Sequence, residues 1–223
     1  MSRSLSTKSS SVKIVLVGPS NAGKTSIAKR FTTDQFDEFQ DMTVGSAFFS
    51  KQLHSKKHKT SARVEVWDTA GQEKYRSMAP MYFRNAAGAL LVFDQTAPTS
   101  FDDVERVWLP ELLPHLKNST QFIIMCGNKA DAVKQSEEHQ LFLSKVETMC
   151  DTKGIRFFST SAKAGENVSE VFEYLVDEIL EGRLAGQHGQ PEELATVSIT
   201  KDPEPDYGDD TKKSRIPKCC SKA

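Results

Sequence analysis

Residues 12–26, which read VKIVLVGPSNAGKTS, decide the fold of this chain. An apolar run, 14–17, ends at Gly18, and helix-forming residues follow over 27–31. Between them lies a match to G-x-x-x-x-G-K-[ST], a glycine-rich turn whose backbone N–H groups can point at phosphate oxygens. Lys24 adds a full positive charge, and the Thr25 hydroxyl is a hard oxygen ligand suited to Mg²⁺. The stretch therefore predicts a strand, a phosphate loop and a helix.

The composition is ordinary for a globular protein, with 38% hydrophobic and 26% charged residues in a chain of 223. This length fits one domain of moderate size plus extensions. A formal net charge of −1 gives no support for a nucleic acid partner. No apolar run approaches the ~18 residues of a membrane span. We therefore expect a cytosolic protein that binds no nucleic acid.

Short apolar runs alternate with amphipathic stretches along the chain. The strand predictions are 12–17, 47–53, 63–67, 87–93, 122–126 and 155–159. The helix predictions are 24–32, 100–116, 137–151 and 168–180. This alternation is typical of crossover units, while the pattern of 63–67 indicates a hairpin strand paired with 47–53. The predicted fold class is α/β, a doubly wound, mainly parallel six-stranded sheet with one antiparallel edge strand and ligands at the carboxyl ends of its strands.

Three finer features also give expectations. Pro110 and Pro114 lie inside the third predicted helix, and each removes a backbone donor, which predicts a kink or an early end near Leu109. Asn167 is a suitable N-cap for the last helix. The basic connector 54–61 is interpreted as a solvated hairpin tip, with a bound anion as the alternative.

A second motif, WDTAGQE at 67–73, begins where a predicted strand ends. Asp68 can hold Mg²⁺ there through a water, and Gly71 allows its N–H to approach a γ-phosphate. Gln72 is placed to orient an attacking water. Asp-x-x-Gly alone is a frequent turn, but behind an upstream phosphate loop it supports a nucleoside triphosphate site.

Two further motifs follow predicted strands and concern the base. In GNKAD, 127–131, the carboxylate of Asp131 can accept two donors at once, N1 and N2 of guanine. Adenine offers no such donor pair and would leave the acid unpaired, at a cost of roughly 1–3 kcal/mol or more. In TSAK, 160–163, the N–H of Ala162 can meet the guanine carbonyl oxygen. The ordered motifs therefore favour guanine nucleotides.

The polar segment 36–45 lies between the first two motifs, reads FDEFQDMTVG and is typical of a mobile loop. Thr43 is placed to close over Mg²⁺ and the γ-phosphate when a triphosphate is bound. Phe36 is placed to lie edge-on against the base. For Phe39 two interpretations stay open, core packing and contact with a partner.

Together, GPSNAGKT, Thr43, WDTAGQE, GNKAD and TSAK resemble the Ras superfamily of small GTPases over residues 12–181. The Rab family in particular is resembled by VGSAF (44–48), WDTAGQEKYRSMAPMYFRNA (67–86) and LVFDQT (91–96). Its early-endosomal subgroup is resembled by FDEFQDMTVGSAF (36–48) together with SMAPMYFRNA (77–86) and GNKAD (127–131). The resemblance implies a phosphate-loop NTPase fold with a GTP-binding domain at 12–181. It also implies GTP hydrolysis, with GTP or GDP and Mg²⁺ as cofactors.

The resemblance assigns roles to individual residues. Nucleotide contacts fall to Ser20, Asn21, Ala22, Gly23, Lys24, Thr25, Ser26, Phe36, Thr43, Gly71, Asn128, Lys129, Asp131, Ser161, Ala162 and Lys163. Mg²⁺ falls to Thr25, to Thr43 and, through water, to Asp68, and water positioning to the catalytic Gln72. The aromatic residues Phe48, Trp67 and Tyr82 would present the nucleotide state to effector proteins.

Both ends of the chain differ in composition from its centre. Residues 1–11 are interpreted as a flexible extension and 182–223 as a disordered tail, in which 211–223 hold five Lys or Arg and no acid. The adjacent Cys219 and Cys220 resemble the two-cysteine Rab tail, geranylgeranylated on both thiols, because the residues after them are not the aliphatic pair of C-a-a-X. Two prenyl chains and a basic segment would form a stable membrane anchor.

The resemblance also implies partners: effector proteins, an exchange factor, a GTPase-activating protein and a prenyl-binding chaperone of the GDI or escort type. It implies a monomer on the cytoplasmic face of endosomal membranes that exchanges with the cytosol and regulates vesicle traffic, at early endosome fusion. Pro19 and Ser20 depart from the small residues common in this loop, and Ser20, facing the γ-phosphate, would alter intrinsic hydrolysis. Three alternatives stay open: a phosphate-loop kinase or ATPase, a nucleotide-locked scaffold without hydrolysis, and a Rab of a secretory or late endosomal compartment.

Overall fold

A computed structural model describes residues 10–116 and 119–186. Its centre is a six-stranded sheet with the strand order β2-β3-β1-β4-β5-β6. The strands are β1 (Ser10–Val17), β2 (Ser46–Ser55), β3 (Thr60–Thr69), β4 (Gly88–Asp94), β5 (Ile123–Asn128) and β6 (Arg156–Ser159). The helices are α1 (Lys24–Thr33), α2 (Ala79–Phe83), α3 (Pro98–Asp103), α4 (Leu109–Leu112), α5 (Glu137–Lys153) and α6 (Val168–Leu184). The predicted fold class is confirmed, because β2 pairs antiparallel with β3 at one edge and the other strand pairs are parallel.

The observed elements follow the predicted ones closely, with β1 beginning at Ser10 and α6 ending at Leu184. Expectations for residues 1–9 and 187–223, among them the lipidation of Cys219 and Cys220, lie outside the described residues. Within 10–116 and 119–186, none of the helices combines the length and the apolar character needed to cross a membrane.

Helices cover both faces of the sheet, so the central strand β1 is buried on both sides. Ile14 packs into a cluster with Phe31 of α1 and Phe172 of α6, whose ring centroids lie 3.8 Å apart. Val15 points the other way, into a cluster built from α2 to α5. This alternation explains why the strand reads as a continuous apolar run. The parallel strands then end at one edge of the sheet, where their loops meet.

The chain after β4 stays helical through Pro110 and Pro114, so of the kink or early end expected near Leu109 the early end is wrong, while the regular α-helix is interrupted just before Leu109. Val104–Trp108 form a π-helical turn, in which the N–H of Leu109 donates to the carbonyl of Val104. Pro110 follows directly on this widened turn, whose i→i−5 bonding accommodates a residue without an N–H. A row of buried apolar side chains holds this irregular helix against the sheet.

Two local expectations need correction. Asn167 occupies the N-cap position of α6, but its backbone is left-handed at φ 56° and its amide donates to the Ser159 carbonyl at 2.8 Å. The predicted side-chain cap is therefore wrong, and the side chain ties the loop to the end of β6. The sequence analysis also predicted no helix between β3 and β4, where a 3₁₀ helix, Glu73–Met78, leads into α2. Both helices are too short to show an apolar period.

The hairpin tip between β2 and β3 packs against α6. Strand pairing continues to Ser55 opposite Thr60, and the Ser55 hydroxyl donates to the carboxylate of Asp177 at 2.5 Å. The Lys57 ammonium pairs with Glu181 one turn further along α6. Lys56, Lys57 and Lys59 are nevertheless exposed, which fits the expectation of a solvated hairpin tip, and Lys57 finds its counter-charge on this helix.

Candidate nucleotide-binding site

The phosphate loop turns sharply between β1 and α1, and two glycines make the turn possible. Gly18 has φ 147°, and a Cβ on it would lie 2.1 Å from the Val92 carbonyl oxygen. Gly23, the N-cap of α1, has φ 87°, and a Cβ there would lie 2.2 Å from Nδ2 of Asn128. Asn21 is also left-handed, at φ 63°. Only glycine fits positions 18 and 23, because the backbone approaches its neighbours so closely.

Lys24 is the first residue of α1 and is only 6% exposed. Its ammonium donates to the carbonyls of Gly18 and Pro19, both at 2.8 Å. Burial lowers the pKa of this lysine to about 8, although the nearby carboxylate of Asp68 opposes the shift. A desolvated cation that is held mainly by carbonyls is well prepared to receive an anion.

Three oxygen-bearing side chains meet beside Lys24. The Thr25 hydroxyl donates to Oδ2 of Asp68 at 2.6 Å, and the Thr43 hydroxyl donates to the same oxygen at 3.1 Å. The two threonine hydroxyls are themselves 2.8 Å apart. The cluster joins α1, the 36–45 loop and the end of β3, so it gathers the three predicted metal residues at one point.

The same cluster fits a hard divalent cation. Asp68 is fully buried, and its second oxygen, Oδ1, has no hydrogen-bond partner in the described part of the chain. Burial raises the pKa of Asp68, and the hydrogen bond from Thr25 and the charge of Lys24 only partly offset this. A buried acceptor without a donor is costly. Mg²⁺, which prefers hydroxyl, carboxylate and water oxygens, would remove that cost.

Gly71 brings the loop after β3 directly onto the phosphate loop. A Cβ at this position would lie 2.5 Å from the backbone of Pro19 and of Ser20 and 2.6 Å from the Lys24 ammonium. Gln72, with its side-chain amide, is the next residue in the chain. These residues line a cavity of about 220 Å³, which Ser20, Asn21, Gly23, Lys24, Thr25, Ser26, Thr43, Gly71 and Gln72 share with 40–42. The predicted phosphate, metal and catalytic residues are therefore brought together.

The predicted base-binding residues meet at the ends of β5 and β6. Asn128, which is 2% exposed, donates from Nδ2 to the Ala22 carbonyl at 3.0 Å. Its Oδ1 accepts from the N–H of Ala162 at 3.1 Å. The Ser161 hydroxyl donates to the carboxylate of Asp131 at 2.5 Å. Asn128 thus joins the phosphate loop to the base end of the site, and Ser161 orients Asp131.

Two residues that hold this region together were missed by the sequence analysis. Asp94, at the end of β4, forms an ion pair with Lys129 at 2.7 Å and so fixes a residue with a left-handed backbone of φ 65°. Arg30 of α1 donates to the carbonyls of Ala162 and Lys163, both at 2.9 Å. An acid at the end of a buried strand could have indicated Asp94. No local signal marks Arg30, because its partners lie 132 and 133 residues away.

The 36–45 loop reaches the base end through an ion pair between Lys163 and Glu38 at 3.1 Å. Phe36 is half-buried and packs against the core cluster of α1 and α6. Phe39 is 88% exposed, so core packing is wrong for this residue, and contact with a partner stays a prediction.

The three predicted surface aromatics form one row. The ring centroids of Phe48 and Trp67 lie 5.4 Å apart, and those of Trp67 and Tyr82 lie 6.2 Å apart. Phe48 is 49% exposed, and Val44 nearby in the chain is 74% exposed. Trp67 and Tyr82 are half-buried, so the row presents part of its apolar surface, together with Val44, to a protein partner.

The fold and the site define a phosphate-loop protein, with a cluster of side-chain oxygens that fits a hard cation and a second polar cluster at the ends of β5 and β6. A model of the Ras family matches residues 13–181. Rab-type relatives include the Ras-related protein RABF2b of Arabidopsis thaliana, 41% identical over 165 residues that cover 74% of this chain and 79% of the relative. The Ras-related protein Rab5A of Oryza sativa subsp. japonica is 40% identical, covering 78% of this chain and 82% of the relative.

A mammalian relative, the Ras-related protein Rab-17 of Mus musculus, is 37% identical over 193 residues, 86% of each chain. The chain therefore belongs to the Ras family and is a small GTPase of the Rab type. It binds GTP and GDP with Mg²⁺ and hydrolyses GTP, as members of this family do. Like other Rab proteins it works with effectors, exchange factors, activating proteins and GDI.

Proposed function

We propose that the chain is a membrane-anchored switch that regulates vesicle traffic on early endosomes. The phosphates are bound by residues 20–26 and Gly71, and guanine by Asn128, Lys129, Asp131, Ala162 and their neighbours Ser161, Lys163 and Phe36. Mg²⁺ would be held by Thr25 and Thr43, with Asp68 binding it through water, and would neutralise phosphate charge there. Gln72 orients the attacking water. The observation that carries this proposal is the Thr25–Thr43–Asp68 cluster, which links a loop of the surface to the metal position.

The switch follows from that cluster. With GTP bound, Thr43 would contribute to the Mg²⁺ site and the N–H of Gly71 would face the γ-phosphate, so both loops would be held in place. Loss of the γ-phosphate removes both attachments at once. Phe48 closely follows the 36–45 loop in the chain, Trp67 closely precedes Gly71, and the Tyr82 hydroxyl lies beside Gly45, so the shape of this aromatic row would differ between the two nucleotide states. Effectors bind the ordered form of this row.

The Gln72→Leu variant tests the catalytic part of the proposal. Loss of the amide leaves the attacking water without its orienting group, so we expect single-turnover GTP hydrolysis to slow roughly tenfold or more. GTP affinity should stay close to that of the wild type. Gln140→Leu, on the exposed face of α5, is the matched control and should hydrolyse GTP normally. A Gln72→Leu protein with wild-type turnover would remove Gln72 from the mechanism.

The endosomal part of the proposal is supported by the similarity to the rice Rab5A and the RABF2b proteins. It depends on a lipid anchor at Cys219 and Cys220, which two prenyl chains would make stable where one is marginal. In cells, the double variant Cys219→Ser/Cys220→Ser should be cytosolic, and each single variant should bind membranes weakly and reversibly. Ser214→Ala is the control and should stay on membranes. The measurement is membrane fractionation together with imaging against endosomal and secretory markers. Wild-type protein found on secretory membranes would contradict the assignment to early endosomes.

A further inference from the structure

Gln72 makes one side-chain contact across the mouth of the phosphate cavity. Its Nε2 lies 2.9 Å from the sulfur of Met42 and donates to it. Met42 is 70% exposed, lines the same cavity as Gln72, and has no role in the site as described above. A thioether has acceptor lone pairs and no donor, so the amide N–H is the group of Gln72 that can face it favourably.

Both ends of this contact are fixed by the metal and phosphate positions. Met42 directly precedes Thr43, whose hydroxyl is bonded to Asp68. Gln72 directly follows Gly71, whose backbone lies on the phosphate loop. The carbonyl of Gln72 also accepts from the N–H of Tyr75 in the following 3₁₀ helix, so the backbone of Gln72 is held while its side chain reaches outward. The arrangement that closes the cavity therefore also brings the sulfur to the amide.

The contact has a chemical consequence for hydrolysis. Because the carboxamide is planar, an Nε2 that donates to the Met42 sulfur also fixes the direction of Oε1, the atom that can accept from an attacking water. Any other orientation of the carboxamide requires this hydrogen bond to break. Hydrogen bonds to sulfur are weak, so the restraint reduces the rate by a small factor and does not abolish turnover.

We propose that Met42 is a positioning residue for GTP hydrolysis, which holds the Gln72 amide out of the reactive arrangement and keeps the unassisted rate low. This inference rests on the proposed role of Gln72. It makes the strength of the acceptor at position 42 a control on the rate. A stronger acceptor at position 42 would hold the Gln72 amide more firmly in this hydrogen bond. An apolar side chain of similar length would leave the amide free to face the water.

A graded series of acceptors tests the proposal by single-turnover GTP hydrolysis on the purified full chain. Met42→Leu keeps an apolar side chain but removes the acceptor, and should hydrolyse GTP about 2–5-fold faster than the wild type. Met42→Gln places a stronger carbonyl acceptor at the same reach and should be slower than the wild type by a similar factor. Met81→Leu, another strongly exposed methionine outside the cavity, is the matched control and should leave the rate unchanged.

Two further readouts separate positioning from a structural effect. GDP affinity and the thermal unfolding midpoint should be the same in Met42→Leu and wild type. In a Gln72→Leu background, Met42→Leu should have no effect on hydrolysis, because the group that it releases is gone. A Met42→Leu rate equal to or below wild type, or an equal acceleration in the Gln72→Leu background, overturns the inference. If Gln72→Leu itself hydrolyses normally, the proposed function of Gln72 fails instead.

Discussion

Lys24→Ala is expected to lose nucleotide binding. The ammonium is 6% exposed and held by the carbonyls of Gly18 and Pro19, so it meets the outer phosphates in a site with little water. Removal of one partner from a buried pair of opposite charges costs roughly 3–5 kcal/mol, which corresponds to a loss of affinity of roughly 10²–10⁴-fold. Equilibrium titration with fluorescent GDP in the presence of Mg²⁺ measures this loss of affinity.

Lys29→Ala is the matched control, because Lys29 lies on the same helix and its ammonium is 4.0 Å from the exposed Asp37. This variant should bind GDP like the wild type. If Lys24→Ala retained wild-type GDP affinity, the phosphate loop would have no role in binding.

Lys24 also gives the free protein a pH dependence. Its pKa is lowered to about 8 by burial, and bound phosphates would raise it again. Above pH 8 the free protein has lost this proton and must take it up to bind nucleotide. GDP affinity should therefore fall as the pH rises from 7 to 9, and calorimetry in buffers of different ionisation enthalpy should detect proton uptake. The weak residual binding of Lys24→Ala should lack this uptake.

Asp131→Asn is the second variant with a large expected effect. The carboxylate of Asp131, oriented by the Ser161 hydroxyl, is proposed to accept from N1 and N2 of guanine. Two hydrogen bonds to a charged group contribute about 3–6 kcal/mol in total, so GDP affinity should fall by at least ~10²-fold. Asparagine presents a donor that pairs with the 2-oxo group of xanthine, so XDP affinity should rise. Competition between GDP and XDP measures both.

The control is Asp102→Asn on α3, whose carboxylate pairs with Lys145 far from the base end. It should keep the wild-type preference for GDP. An Asp131→Asn protein that still selects GDP over XDP would contradict the assignment of the base.

The phosphate loop and the sheet could be predicted from the sequence because their signals are local. Gly18, Gly23 and Lys24 fall at fixed spacings that the backbone turn itself requires. The strands β1, β4 and β5 are buried on both faces, so each is a short apolar run that contrasts with its flanking loops. Asp68 and the base residues could be predicted as well, because they lie at or just after the carboxyl ends of β3, β5 and β6.

The features that were missed depend on contacts that no local pattern encodes. Arg30 acts on carbonyls of the base loop, and the side chain of Asn167 turns to Ser159 because of the loop around it. Pro110 stays inside a helix because the preceding turn widens and its apolar face is buried. The lysine-rich hairpin tip finds acids on a helix more than a hundred residues away. In each case tertiary contact overrides local preference.

Two side chains connect the phosphate end of the site to its base end. Asn128 joins the Ala22 carbonyl to the Ala162 N–H, and Arg30 joins α1 to the backbone of residues 162–163. The phosphate end and the base end are therefore held in place before the nucleotide binds, and one nucleotide occupies both ends at once. Once the pyrophosphate is seated, the guanine is presented to its own subsite at a high effective concentration. Guanosine and pyrophosphate added together as separate molecules lack that advantage, so their combined occupancy should stay far below that of GDP.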